Sequence, residues 1–189
     1  MLFNTVELTD LRKAVQNYMN TQVTTVVSEP QPDADAGAGA VINPGDQFKF
    51  NVTATNAANP DGVRLINVRW SLSVDATSKL IVPSGFTATS VLFTTIPSLI
   101  PQLQVVPVAP GDQVSNMLLT PLPILLAPSD RSVLDVGESD SINDLKGIAG
   151  SAGVDNIRFR VIADPDLDFL LPKNEDSPLA SEDFTVVAV

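Results

Sequence analysis

Apolar and polar residues alternate along three stretches of the chain. Phe48, Phe50, Val52 and Ala54 interleave with Lys49, Asn51, Thr53 and Thr55. Ile66, Val68, Trp70, Leu72 and Val74 interleave with Asn67, Arg69, Ser71 and Ser73. Near the C-terminus Ile157, Phe159 and Val161 interleave with Arg158 and Arg160, and the run DFTVVAV supplies a last strand. A period of two puts the apolar set on one face of a strand and the polar set on the other. Strands with one wet face belong to antiparallel sheets, and several of them separated by turns build a sandwich or a barrel. The turns are legible too. NPGDQ precedes the first strand, and NAANPDG, with Asp61-Gly62 as its strongest pair, precedes the second. Pro44-Gly45-Asp46-Gln47 recurs as Pro110-Gly111-Asp112-Gln113. The flanks do not match, so this is one turn used twice and not a repeat architecture.

Residues 4–20 have a different period. Leu8, Leu11, Val15, Tyr18 and Met19 fall on one face of an amphipathic helix. Asn4, with Glu7 three residues on, makes a capping-box variant at its start. Such a face either covers the end of a core or docks a neighbouring subunit. Residues 28–40, SEPQPDADAGAGA, lose all periodicity and read as a linker. The expected organisation is a helical arm at 1–28, a linker at 29–40 and a β-sandwich over 41–189.

Between Leu80 and Ser129 the one charged residue is Asp112. A membrane-spanning helix needs roughly 20 mainly apolar residues without frequent breakers. Pro97, Pro101, Pro107, Pro110, Pro121, Pro123 and Pro128 cut this segment into much shorter pieces. It is expected to form short strands and extended pieces, a long apolar Pro-rich insertion at about 84–135. It either completes the core or gives another chain an apolar surface to cover.

Composition then removes whole classes of function. The net charge is −11, and the 11 Lys and Arg are scattered singly or in pairs, so no basic stripe tracks a nucleic acid. Aromatics make up 5% of the chain, too few for base-stacking platforms. With no Cys there is no thiol nucleophile and no thiolate metal site. With no His, the commonest general base, the commonest metal ligand and every Ser-His-Asp triad are gone. Carboxylates, Lys and Tyr18 remain, and a non-enzymatic role is expected. The N-terminal run MLFNTVELTDLRKAVQNYMN lacks the basic region and apolar core of a secretory signal peptide.

Two acidic sets have metal-like spacing. Asp164, Asp166, Asp168 and Glu175 stand at relative positions 1, 3, 5 and 12, the spacing of calcium-loop carboxylates. Position 6 is Phe169 and not Gly, and Pro165 and Pro172 stiffen the loop, so a solvated acidic turn competes with a Ca²⁺ site. Glu138, Asp140 and Asp144 form a looser set, which also reads as a turn followed by a helix start. Paired carboxylates serve glycoside hydrolysis, but the aromatic walls of a sugar site are missing. Asn51-Val52-Thr53 matches a glycosylation sequon in mid-strand. No cofactor is expected beyond this candidate Ca²⁺.

A family resemblance rests on short motifs at the two ends of the β region. Pro44-Gly45-Asp46, a strand ending in Ala54-Thr55-Asn56, a Gly-containing turn and Val68-Arg69-Trp70-Ser71-Leu72-Ser73-Val74 come first. Val161-Ile162-Ala163-Asp164-Pro165-Asp166, Lys173-Asn174-Glu175-Asp176 and Phe184-Thr185-Val186 close the pattern. Together they resemble bacterial immunoglobulin-like modules of the CARDB (cell-adhesion-related) type, over 41–74 and 157–189. The resemblance implies an Ig-like antiparallel β-sandwich with Trp70 in its core. The modules of that family are shorter, lack residues 80–150 and usually follow a signal peptide.

The expected protein is therefore all-β, an Ig-like sandwich with an N-terminal helix and an apolar insertion. The expected role is structural, as a self-assembling subunit of a virion, a phage-tail-like particle or an extracellular filament, located on that particle. Its partners would be proteins, with no nucleic acid and no membrane span. Candidate contact residues are Leu8, Leu11, Val15 and Tyr18 on the helix and Leu99, Ile100, Leu103, Leu118, Leu122, Ile124, Leu125 and Leu126 in the insertion. Edge strands are expected to add to a neighbour's sheet. The alternative is a secreted or surface module for adhesion or carbohydrate binding, and a calcium-stabilised version of either reading stays open.

Overall fold

The computed structural model describes residues 5–33, 41–75, 77–95, 101–115, 124–128, 133–165 and 175–188. Helix α1 (Thr5–Gln22) runs directly into strand β1 (Val23–Val27). Then come β2 (Gln31–Pro32), β3 (Gln47–Asn56), β4 (Leu65–Val74), β5 (Lys79–Ile81), β6 (Phe86–Thr95) and β7 (Pro101–Val108). The order continues with β8 (Gln113–Ser115), β9 (Ile124–Pro128), β10 (Val133–Leu134) and β11 (Ser139–Ile148). β12 (Gly153–Pro165), β13 (Glu175–Asp176) and β14 (Ala180–Val186) complete it.

The strands form two antiparallel sheets, an all-β sandwich. The first sheet has the order β1-β3-β11-β5-β8, with β2 also on β3. The second has the order β13-β12-β4-β9-β6-β7, with β14 also on β12 and β10 also on β4. The alternation in the sequence sets which face is dry. Phe48, Phe50, Val52 and Ala54 of β3 face Val68, Trp70, Leu72 and Val74 of β4 and Ile157, Phe159 and Val161 of β12, all buried. Trp70 stacks on Phe159 with ring centroids 5.3 Å apart and planes 15° apart. Phe48 meets Phe184 at 4.8 Å. Burying side chains of this size contributes roughly 1.5–3 kcal/mol each. The void among Leu72, Leu80, Leu126 and Leu145 is only about 10 Å³, so the core is filled.

The recurrent Pro-Gly-Asp stretch is one device used at three places. At Asn43–Asp46, Gly45 takes φ +88°, and Asp46 donates its N–H to the Asn43 carbonyl at 3.0 Å. The Asp46 carboxylate accepts the Asn43 N–H at 2.9 Å. At Ala109–Asp112, Gly111 takes φ +87°, and the Asp112 carboxylate accepts the Ala109 N–H at 3.1 Å. At Asp135–Glu138, Gly137 takes φ +78°, and the Glu138 carboxylate accepts the Asp135 N–H at 2.7 Å. Each turn also clasps a distant segment through two backbone bonds. Gly45 and Asp46 hold Ala149, Gly111 and Asp112 hold Val82, and Gly137 and Glu138 hold Asn56. The acid at the last position thus satisfies a donor that a solvent-facing turn would otherwise leave to water.

The helix lies against the chain's own sandwich. Val15 and Met19, one turn apart, are 8% and 0% exposed. Gln16 donates to the Asp176 carbonyl at 2.9 Å, and Thr25 of β1 donates to the Pro178 carbonyl at 2.8 Å. The boundaries expected for an arm and a linker move accordingly. Val23–Val27 pairs with Val52–Asn56, and Gln31 and Pro32 pair with Lys49 and Phe48, so residues 23–27 and 31–32 belong to the first sheet. Their period of two was hidden because the run is short and flanked by Pro30 and Pro32.

Two glycines separate two kinds of constraint. Gly45→Ala meets no atom, so its cost is the positive φ alone, about 1–2 kcal/mol. Gly147→Ala has no such backbone problem, but its Cβ would overlap the Phe48 ring, which must move out of the core. Urea unfolding should show both variants destabilised. Shortening the ring with Phe48→Leu should relieve Gly147→Ala and leave Gly45→Ala unchanged.

Candidate functional site

Two members of the candidate calcium set lie on paired strands, β12 and β13. Asp164 lies in β12 opposite Ile66 of β4, and Glu175 opens β13 opposite Ala163. Asp166 and Asp168 lie outside the described residues. The looser set has separate employments. Glu138 closes its own turn, Asp140 accepts the Ser141 N–H at 2.8 Å, and Asp144 sits at φ 53° with its N–H on Asn51 Oδ1. Among the described residues, no three carboxylates are close enough to hold a metal ion.

The candidate contact residues divide. Leu126 is 1% exposed inside the sandwich, because β9 lies between β4 and β6. It is core and not a contact surface. Val15 is buried as described. The Tyr18 hydroxyl is 3.0 Å from Asn56 Oδ1 and 3.1 Å from the Val63 carbonyl, and it accepts the Val63 N–H at 2.9 Å. These two helix residues therefore serve the chain's own fold. Leu125 is half-buried opposite Ser71, Ile124 lies in β9, Leu103 lies in β7, and Leu8 and Leu11 lie in α1. Leu99, Ile100, Leu118 and Leu122 lie outside the described residues. No helix among the described residues is long and apolar enough to cross a membrane.

The sheet edges resist strand addition. Pro30 and Pro32 interrupt the first edge, and β8 at the other has three residues. Pro101 and Pro107 lie on β7, and Glu182 on β14 points to the same side as buried Phe184 and Val186. Prolines, short strands and inward charges are the usual guards against edge pairing.

Two features escaped the sequence reading. One is a buried polar cluster at the end of the sandwich opposite the helix. Asp155 is 5% exposed and Ser78 0%. Ser78 Oγ donates to Asp155 Oδ2, Thr77 Oγ1 donates to Asp155 Oδ1 at 3.3 Å, and Gly150 N–H donates to Ser78 Oγ at 2.9 Å. A serine hydroxyl committed to a carboxylate, with no imidazole in the chain, is a staple between the β4–β5 turn and β12. The other is an open cleft of about 290 Å³ between the β1–β2 connection and β14, with Glu29, Pro30, Pro32, Ile42, Asp183 and Phe184 among its walls.

Charge is the third observation. Lys49, Lys79 and Lys146 occupy outward positions of the first sheet, and Arg69, Arg158 and Arg160 those of the second. These are six of the 11 basic residues. Six acids stand in turns and at strand ends, Asp46, Asp61, Asp112, Asp135, Glu138 and Asp140, and others lie within strands, among them Asp144 in β11, Asp155 in β12 and Asp183 in β14. On the second sheet two of the three arginines are answered, Arg158 3.5 Å from Asp75 and Arg160 2.5 Å from Asp176, while Arg69 Nε is buried without a hydrogen-bond partner among the described residues.

No family model matches the chain. No curated protein sequence matches it either. Among solved structures it is similar to AvmM, which catalyzes macrocyclization in alchivemycin A biosynthesis, with TM-score 0.43 and 14% identity over 89% of this chain and 90% of that one. It is similar to a cohesin module from a Clostridium perfringens family 33 glycoside hydrolase, with TM-score 0.38 and 11% identity over 88% of this chain and 100% of that one. Spo0M of Bacillus subtilis, a sporulation control protein, gives TM-score 0.28 and 8% identity, and the chain spans 49% of its length. At these scores none of the three carries an argument about function.

The staple predicts its own test. Ser78→Ala leaves Asp155 buried with one hydroxyl fewer and should cost about 1–3 kcal/mol in urea unfolding. Ser78→Ala together with Asp155→Asn should be milder than the two single effects summed, because the pair acts as a unit.

Proposed function

We propose that this chain is a non-enzymatic assembly protein, a subunit of a virion, phage-tail-like particle or extracellular filament that acts through contacts between folded sandwiches. The observation that carries this reading is a rigid sandwich with six Lys and Arg at outward strand positions and acids crowded into its turns. Complementary patches on one rigid body steer association and fix orientation. The polar groups that might suggest chemistry are employed internally: Asp155 by Ser78 and Thr77, Glu138 by its turn, Tyr18 by Asn56 and Val63. The single Trp is stacked in the core and the single Tyr is bonded to loops, which favours this reading over a sugar-binding module.

The strand order supports an Ig-like frame for it. In immunoglobulin constant domains the sheets read A-B-E-D and C-F-G. Taking β1, β3, β4, β5, β11, β12 and β14 as A to G gives β1-β3-β11-β5 and β4-β12-β14, the same two orders. On this frame β6 to β10 are the insertion, which widens the second sheet and adds β8 to the first.

Light scattering across a roughly tenfold concentration range tests the reading. Mass above the 20.0 kDa of one chain, rising with concentration and falling with salt, is the expected result. A monomer under every condition overturns it. The candidate calcium set is taken as a solvated acidic turn, so added calcium and added chelator should give the same melting temperature. A rise with calcium would restore Asp164 and Glu175 as ligands.

A further inference from the structure

We propose that the outer face of the second sheet binds a compact tetrahedral oxyanion, a phosphate or sulfate group, against Arg69, Ser71 and Arg160. The inference goes beyond the assembly reading and does not depend on it.

The strand register builds the place. β4 turns Val68, Trp70, Leu72 and Val74 into the core, which leaves Arg69, Ser71 and Ser73 on its outer side. On the adjoining β12, Arg160 stands directly opposite Ser71, Arg158 opposite Ser73 and Ile162 opposite Arg69. Residues directly opposite one another have Cβ atoms about 4.5–5.5 Å apart, and diagonal neighbours lie about 7–8 Å apart. Arg69 and Arg160 are such a diagonal pair, and Ser71 belongs to the same small square. From the other side of β4, strands β9 and β6 bring only uncharged residues to these rows, Leu125 opposite Ser71 and Thr89 beyond it.

Polar groups here lack partners. Arg69 Nε is buried without a hydrogen bond among the described residues. Ser71 and Ser73 are 4% and 9% exposed, and neither hydroxyl is bonded among the described residues. Unpaired polar groups gathered in one place mark a missing water or ion. A water would satisfy a donor, but it would leave the Arg69 charge unanswered in a chain with 22 acids and 11 bases. The acids around the face are few and committed. Asp75 holds Arg158, and Asp176 holds Arg160. All four of these side chains are half-buried at the surface, where an ion pair holds weakly, so Arg160 is able to turn to a ligand beside Arg69. The next acid on β12, Asp164, stands opposite Ile66, beyond the register shift. That is three residues along β4 from Arg69, about 10 Å. Guanidinium and hydroxyl donors converging on one point suit a group with several acceptor oxygens. No aromatic residue stands on these rows, so the part recognised is the oxyanion and not a ring attached to it.

Calorimetric titration of the full chain with inorganic phosphate, and separately with inorganic sulfate, tests this, with chloride at equal ionic strength as the reference. Saturable binding of one or both anions is expected, and the tighter of the two says whether phosphate or sulfate groups are the natural ligand. Arg69→Gln should weaken binding about tenfold or more. Arg69→Lys should do so too, because it keeps the charge and loses the Nε–H. Arg160→Gln, at a more exposed position, gives the same test should an Arg69 variant fail to fold, which thermal melts will show. Lys49→Gln on the other sheet should bind as the wild type does. Heats no larger than those of chloride overturn the site. Binding that survives in folded Arg69 or Arg160 variants overturns it as well. None of these results depends on the mass of the protein in solution, so the assembly reading stands or falls separately.

Discussion

Asn56 is completely buried, and its polar groups reach four parts of the chain. Its Nδ2 donates to the carbonyls of Val63 and Leu134 at 2.9 and 3.2 Å, and its Oδ1 accepts from Tyr18 at 3.0 Å. Its backbone N–H goes to Glu138 and its carbonyl takes Gly137 N–H. One residue therefore holds the helix, the entry to β4 and strand β10 through its side chain and the turn before β11 through its backbone. A buried amide left without partners costs more than any one of these bonds contributes. All of those segments must consequently be in place together. That requirement is why the helix packs on the sandwich and does not hang free as an arm.

The alternating runs made the sandwich legible. Phe48 to Thr55 forms a strand with the faces its pattern implies, and Val68, Trp70, Leu72 and Val74 are buried as expected; but β4 is irregular at Asn67, so Leu65 and not Ile66 is buried there, and Ser71 and Ser73, expected outside, are buried. The Pro-Gly-Asp turn was legible as a repeated solution for the same reason, since its φ and its carboxylate are local chemistry. Its third use was not, because Asp135-Val136-Gly137-Glu138 keeps the geometry and changes two of the residue types. The apolar stretch around Leu126 was legible only as a choice between core and surface. Strand β9 settles part of it, since it runs between two other strands and Leu126 points inward. The staple of Ser78 and Asp155 could not be foreseen, because 77 residues separate its members and neither stands in a motif.

The placement of charge has a folding origin. Three turns close by bonding a carboxylate to a backbone N–H, so acids accumulate where the chain reverses. The outward positions of strands favour side chains with long apolar stems that lie along the sheet while the charge stays wet, which suits Lys and Arg. Each choice is made for local reasons. On the second sheet, Asp75 and Asp176 pair with Arg158 and Arg160. On the first, Asp33 pairs with Lys146 and Lys79 donates to Gln113 Oε1 at 3.5 Å. The features that make the fold possible thus leave Arg69 Nε without the partner that its neighbours on the second sheet have among the described residues.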